Sequence, residues 1–239
     1  MMSKNEAKFI NSLKIKKYRH NERRFLVEGV KNVLELLHSR WTYDELYCTP
    51  EVLDKFKAYN PKLITAKELN SLSTLATNES CFAIARFKEA DLLKLPVTSH
   101  LIILDGIKDP GNLGTIIRSM DWFGFSHLIC SQECADFYNP KTIAATMGSF
   151  TRIIPFYTVL ESLLPSLQVP IFGMQMQGSL LSHLNVVQPA AFIMGSESHG
   201  LSKSVSDFIT QSITIPSFGN AESLNVAMAT TLLLYQLRS

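Results

Sequence analysis

From Leu101 onward the chain repeats one pattern: a short, uninterrupted apolar run, then a polar turn, then an amphipathic helical stretch. Leu101-Ile102-Ile103-Leu104, Leu128-Ile129-Cys130, Ile153-Ile154-Pro155-Phe156, Pro170 to Met174, Ala190 to Met194 and Ile213-Thr214-Ile215 are the runs. Strands that are apolar at every position, rather than at every second one, are buried on both faces. Separated by helices at about 113–123, 158–164 and 223–237, they predict an α/β fold with a mostly parallel sheet covered on both sides.

A second, smaller α/β pattern precedes it. Ser3-Lys4-Asn5-Glu6 and Thr65-Ala66-Lys67-Glu68 both read as capping boxes, in which side chain and backbone exchange hydrogen bonds at a helix start. Val30, Val33, Leu34 and Leu37 recur at helical spacing. Phe25 to Val27, Leu46 to Cys48, Leu63-Ile64 and Cys81 to Ala85 are the strand-like runs, and Thr49-Pro50 is expected to cap a helix reaching Tyr59. The expected division is a small N-terminal domain at 1–87, a linker at 88–99 carrying Pro96, and a larger domain at 100–239.

Composition narrows the function classes. With 46% hydrophobic and 18% charged residues the chain can build a core and is not a disordered type. No apolar run reaches the roughly 18 residues of a membrane span, and the N-terminal stretch lacks the apolar segment of a secretory signal, so a cytoplasmic protein is expected. Cys48, Cys81, Cys130 and Cys134 follow no zinc spacing and are expected as reduced, packed thiols, with no metal. The net charge of +2 is unevenly spread. Residues 1–40 carry ten Lys/Arg against four Asp/Glu (+6), and the remainder carries 13 against 17 (−4). A basic end on a nearly neutral body suits a polyanion such as RNA, or is simply a solvated lysine-rich face.

Three turns at strand ends are rich in glycine and polar residues, where ligands of parallel sheets collect. The first runs from Leu104 to Arg118, with Asn112 placed to cap the helix and Arg118 on it, beyond an inward-facing Ile116-Ile117. The second is Gly195-Ser196-Glu197-Ser198-His199-Gly200. The third runs from Ile215 through Pro216 and Gly219 to Ser223, read as an N-cap, and Asn225, read as a first-turn amide. None is G-x-G-x-x-G or a P-loop, which excludes a Rossmann dehydrogenase.

Taken in order, LDGIKDPGNLGTIIRSMDWFGF, FIMGSESHGLS and ITIPSFGNAESLNVAMATTLLLY resemble the three motifs of the SpoU-type RNA ribose methyltransferases, within the SPOUT class. The stretch KKYRHNERRFLVEG is similar to the RNA-substrate-binding domain that precedes the catalytic domain in many members. Met120 and Gln236 depart from the family's usual small residue and Glu. The resemblance implies a Rossmann-like sheet with a C-terminal deep trefoil knot, S-adenosylmethionine as cofactor, and methylation of a ribose 2′-hydroxyl in structured RNA, rRNA before tRNA. It implies backbone cofactor contacts at Gly195, Ile215 and Leu224, and catalytic roles for Arg118, Asn112, Glu197, Ser223 and Asn225. It also implies a homodimer in which one subunit's arginine completes the other's site, which suits the apolar last helix. Lys14, Lys16, Lys17, Arg19, Arg23 and Arg24 are the candidates for RNA phosphate contacts. Arg118 has been considered a general base in this family; a guanidinium with a pKa above ~12 is better suited to clamping phosphate and developing negative charge. The competing class is a non-catalytic RNA-binding or ribosome-assembly factor that keeps the fold.

Overall fold

The computed structural model describes residues 2–75, 80–88 and 99–239. Of the expected linker, 89–98 lie outside the described residues. Contacts between Cα atoms divide the chain into two compact units, one formed by 1–89 with 136–151, the other by 90–135 with 152–239.

The first unit contains α1 (Lys4–Ser12), α2 (Lys16–Glu22), β1 (Arg24–Glu28), α3 (Val30–Leu37), β2 (Tyr43–Cys48), α4 (Leu53–Phe56), β3 (Lys62–Leu63), α5 (Ala66–Leu72) and β4 (Cys81–Arg86). Its sheet order is β1-β4-β2-β3, with β4 antiparallel to β1 and β2, and β2 parallel to β3. Both capping boxes form: Ser3 with Glu6, and Thr65 with Glu68. Thr49 makes no side-chain cap. Pro50–Val52 is instead a 3₁₀ turn, and the expected single helix to Tyr59 breaks into α4 and a second 3₁₀ turn, Lys57–Tyr59. Ile10, Leu13, Leu26, Leu69, Phe82 and Ile84 form the core beneath the sheet.

The returning segment brings α7 (Pro140–Thr146), started by the Asn139 side chain, against β1. It also brings Asp136 to Arg19. Arg19 is only 1% exposed, and its Nε and Nη2 donate to Asp136 Oδ2 at 3.1 and 2.6 Å. Its Nη1 donates to the carbonyls of Leu13 and Lys14, the open end of α1. Nearby, Phe87 stacks on Tyr138, and Trp41 Nε1 donates to the Thr151 carbonyl at 3.0 Å.

In the second unit, β5 (Leu101–Asp105), α6 (Pro110–Trp122), β6 (His127–Ser131), β7 (Ile154–Thr158), α8 (Leu160–Leu163), β8 (Ile171–Leu180), β9 (Ala191–Gly195), α9 (Lys203–Ser206), β10 (Gln211–Thr214) and α10 (Val226–Gln236) follow in sequence. The six strands are parallel, in the order β10-β8-β9-β5-β6-β7. Leu101, Ile103, Ile129, Phe156, Ala191 and Ile193 are buried in its core, as the uninterrupted apolar runs require. The chain builds outward from β5 through β6 and β7, then returns to the other side of β5 with β9. That reversal opens a crevice at the carboxyl ends of β5 and β9.

Two helix starts differ from expectation. α6 is capped by Asp109 rather than Asn112, with Pro110 at its first position, and the Asp109 side chain accepts from Asn112 N at 2.7 Å. α10 begins at Val226, with Asn225 as N-cap and Ser223 outside the helix. At α6 the Asp109-Pro110 pair supplies a capping carboxylate followed by a proline suited to the first helical position, which sets the cap three residues before Asn112. At α10 the Asn225 side chain accepts from two first-turn amides in place of Ser223. The four cysteines are buried and form no disulfide. Among the described residues no helix is long and apolar enough to cross a membrane.

The Arg19–Asp136 pair is enclosed on both sides, so Asp136→Ala leaves an uncompensated buried guanidinium. The expected loss is about 3–5 kcal/mol in the unfolding free energy, measured by denaturant titration. A midpoint unchanged from the parent protein would contradict this assignment.

Candidate functional site

Parallel strands deliver their following loops to one edge of the sheet. The first loop leaves β5 at Asp105, turns at Gly106 with φ +68°, and enters α6. Asp109 caps that helix, so Asn112 occupies its first turn and points its amide out of the capped end. The second loop leaves β9 at Gly195 and closes on itself: Ser196 N donates to the Gly200 carbonyl at 3.0 Å and Gly200 N to the Ser196 carbonyl at 2.8 Å. A Cβ at Gly195 would stand 2.2 Å from the Gly200 carbonyl carbon, so only glycine fits. The third loop leaves β10 and ends at Asn225, whose Oδ1 accepts from Ala227 N at 3.0 Å and Met228 N at 3.3 Å.

One carboxylate oxygen joins the three loops. Glu197 Oε1 accepts from Asn112 Nδ2 at 3.2 Å, Asn225 Nδ2 at 2.6 Å and Val226 N at 3.0 Å. Asn225 Nδ2 also donates to Asn112 Oδ1 at 3.0 Å. The Val226 amide is one of the unpaired donors that begin a helix, and a negative charge there is favoured by the helix dipole. Glu197 therefore serves as an acceptor for α10 and for two side-chain amides at once.

Of the five expected catalytic residues, the structure brings these three together. Arg118 lies on α6 beyond the buried Ile116 and Ile117, is exposed, and makes no hydrogen bond or ion pair among the described residues. Ser223 is likewise exposed and outside the cluster. Among the expected cofactor positions, Gly195 sits in the closed second turn, and Ile215 and Leu224 bracket the third loop. Among the described residues, backbone atoms of 216–224 make no hydrogen bond to other backbone. Amides and carbonyls left open beside a turn that excludes any side chain fit a bound heterocycle and amino-acid chain.

The cluster borders a cavity of about 450 Å³ at the ends of β5, β6, β7 and β9. Two supports of this region were not expected. Asp105 Oδ2 accepts from Ser202 N at 2.7 Å, holding the second loop to the first. Cys134 Sγ accepts from Ile107 N at 3.3 Å, and its hydrogen bond with Cys130 holds its thiol down to about 7. An acidic residue at the end of an apolar run was the visible signal for Asp105; Cys134 carried none.

The basic candidates divide. Lys16 and Lys17 are exposed, Lys14 Nζ donates to the Ser73 carbonyl at 3.3 Å, and Arg24 pairs with Asp44. Arg23 stands exposed, 5.9 Å from the centre of the Phe87 ring. Arg19 does not fit the expectation: its guanidinium is buried in the Asp136 pair, where no phosphate reaches it.

Comparison with known proteins gives two family matches. A model described as the SpoU rRNA Methylase family matches residues 99–235, and one described as an MRM3-like substrate binding domain matches 4–83. The chain is 28% identical over 233 residues to the 23S rRNA (guanosine(2553)-2′-O)-methyltransferase RlmP of Bacillus subtilis, covering 95% of this chain and 93% of the relative. It is 30% identical to the 23S rRNA (guanosine-2′-O-)-methyltransferase RlmB of Neisseria meningitidis, covering 89% and 90%. The AdoMet-bound rRNA methyltransferase from Sinorhizobium meliloti superimposes with a TM-score of 0.87 at 28% identity, covering 100% of this chain and 96% of that one.

Because Asn225 and Glu197 share a hydrogen bond, their substitutions are expected to be non-additive. Asn225→Ala alone should cost about 1 kcal/mol as a lost cap. In the double variant with Glu197→Ala the total should fall short of the sum by about 0.5 kcal/mol or more, read by thermal unfolding. Strict additivity would mean the contact does not couple the loops.

Proposed function

The chain belongs to the SpoU rRNA methylase family, and from that premise we propose that it methylates a ribose 2′-hydroxyl of ribosomal RNA, with S-adenosylmethionine as donor. The observation that carries this reading is the meeting of Asn112, Glu197 and Asn225, one from each of three distant loops, on a single carboxylate oxygen. A fold kept only for RNA binding has no need of that convergence. Relatives over nearly the full length carry the names of rRNA 2′-O-methyltransferases, which favours catalysis over a non-catalytic assembly factor. The division of labour that follows is RNA binding by 1–87 and catalysis by 100–239, of which 136–151 pack into the first unit, in a cytoplasmic enzyme. The C-terminal part would pass through a loop as a trefoil knot; the inward position of β8 between β10 and β9 is consistent with this path.

The backbones of Gly195, Ile215 and Leu224 would hold the cofactor. Bound there, it supplies a methyl group already activated by a positively charged sulfur. The protein's task is then to align the hydroxyl oxygen behind that methyl and manage the departing proton. Alignment alone lowers a barrier by several kcal/mol, up to about 7–11 in favourable models. Glu197 fixes the amides of Asn112 and Asn225 at the rim, while Ser223 sits on the loop that leads to them. Arg118 acts as a planar, charged fork on the neighbouring phosphate and on the oxygen as it gains negative charge, rather than as the base.

Phosphate contacts are assigned to Lys14, Lys16, Lys17, Arg23 and Arg24, without Arg19. The homodimer reading rests on α10. Met228, Leu232 and Tyr235, spaced by four and three residues, are 53%, 44% and 61% exposed, and Trp122 at the end of α6 is 84% exposed. A second copy would cover this stripe and place its own Arg118 near the first copy's cluster.

Three measurements test these roles. Arg118→Ala should lower methyl transfer to RNA about 10²–10³-fold, the scale of one lost charge-stabilising donor, with Arg118→Lys also well below the parent. Near-parental turnover in Arg118→Lys would contradict the fork. Lys16→Glu with Lys17→Glu should weaken RNA binding and flatten its salt dependence by roughly 0.7–0.9 in log–log slope per contact; an unchanged slope would remove these residues from the interface. Leu232→Glu should convert a dimer to a monomer by light scattering and abolish activity, and an active monomer would contradict the shared site.

A further inference from the structure

The cavity of about 450 Å³ borders the cofactor positions without being lined by Ile215, Leu224 or Gly195, and it shares Asn112, Glu197 and Val226 with the three-loop cluster. It lies where the strand order reverses, and its size falls in the range of about 300–1,000 Å³ that takes a small ligand. Its lining is mixed: Ile107, Leu160, Val205 and Val226, with a half-exposed Val159, give it an apolar patch, and serines such as Ser131, Ser196 and Ser202 stand beside it. Its rim is acidic, with Lys108 as the sole Lys or Arg among the lining residues. Such a hollow repels phosphate and accepts a flat ring that offers hydrogen-bond donors.

Most of the rim's acceptors are already committed. Asp105 takes the Ser202 amide, Asp109 caps α6, Glu161 Oε1 takes the Ser204 hydroxyl at 2.6 Å, and Glu197 ties the loops. Glu133, in the turn after β6, makes no hydrogen bond or ion pair among the described residues. Its two carboxylate oxygens are free to accept two parallel donors. Among the four RNA bases, guanine alone presents a ring N–H beside an amino group on its Watson–Crick edge, and enzymes that act on an extruded nucleotide read that edge against apolar walls.

We propose that this cavity receives the base of the nucleotide to be methylated, swung out of the RNA, and that Glu133 selects guanine by accepting from its N1–H and 2-amino group. The inference rests on the ribose-methylation reading and adds the base pocket and its selecting residue. Glu133 touches the base and not the reacting atoms, so its effect should fall on substrate choice and leave donor binding alone.

The test uses the full-length protein, S-adenosylmethionine and unmodified 23S rRNA transcript, with the methylated nucleotide located by mass spectrometry. A short RNA carrying that nucleotide is then made with guanosine or with inosine, which lacks the 2-amino group. The expected result is a guanosine target. Glu133→Gln and Glu133→Ala should lower kcat/KM about 5- to 150-fold, the scale of a bidentate base contact, with calorimetric affinity for S-adenosylmethionine unchanged. The parent enzyme should prefer guanosine to inosine, and Glu133→Ala should treat them alike. A uridine, cytidine or adenosine target, or Glu133 variants that keep the parental preference, would overturn the base assignment while leaving ribose methylation standing. No transfer to any RNA by the parent enzyme would overturn both.

Discussion

The site depends on one oxygen atom. Glu197 Oε1 receives two side-chain amides and the first free amide of α10, from segments 85 and 28 residues away along the chain. A carboxylate is the group for this position because it accepts from several directions and carries the charge that a helix start favours. Its three partners reach it only because β5, β9 and β10 run parallel and end at the same edge. The sheet therefore does more than bury apolar side chains: it converts three distant turns into neighbours.

Glycine marks where backbone must come closest. At Gly195 no side chain fits beside Gly200, and at Gly106 the chain leaves β5 in a left-handed turn that returns it toward α6. Beside these tight corners the third loop stays open, with no hydrogen bond from its backbone to other backbone among the described residues. Closed turns beside an open loop give a rigid wall and an adaptable one, an arrangement suited to holding a cofactor whose shape must be set by the protein.

Much of this architecture was legible. Uninterrupted apolar runs announced the parallel strands, and both capping boxes formed where side-chain chemistry placed them, because each depends on residues three apart. The motif residues Asn112, Glu197 and Asn225 could be named from the family resemblance. What could not be read was their joint bonding to one atom, a property of tertiary approach. Asp109 displaced Asn112 as a cap because Asp109-Pro110 is the stronger local start, and Asn225 displaced Ser223 where two polar residues compete for one helix end. Arg19 looked like its solvated neighbours Lys16 and Lys17. Only the return of residues 136–151 supplies Asp136, and with it the reason for Arg19's burial.

The most direct measurement is a crystal structure grown with S-adenosylmethionine. The donor should lie against the backbones of Gly195, Ile215 and Leu224, with its methyl group directed to the rim where Glu197 holds Asn112 and Asn225. Density for the donor at some other surface, or these three loops standing apart around an empty site, would contradict the account.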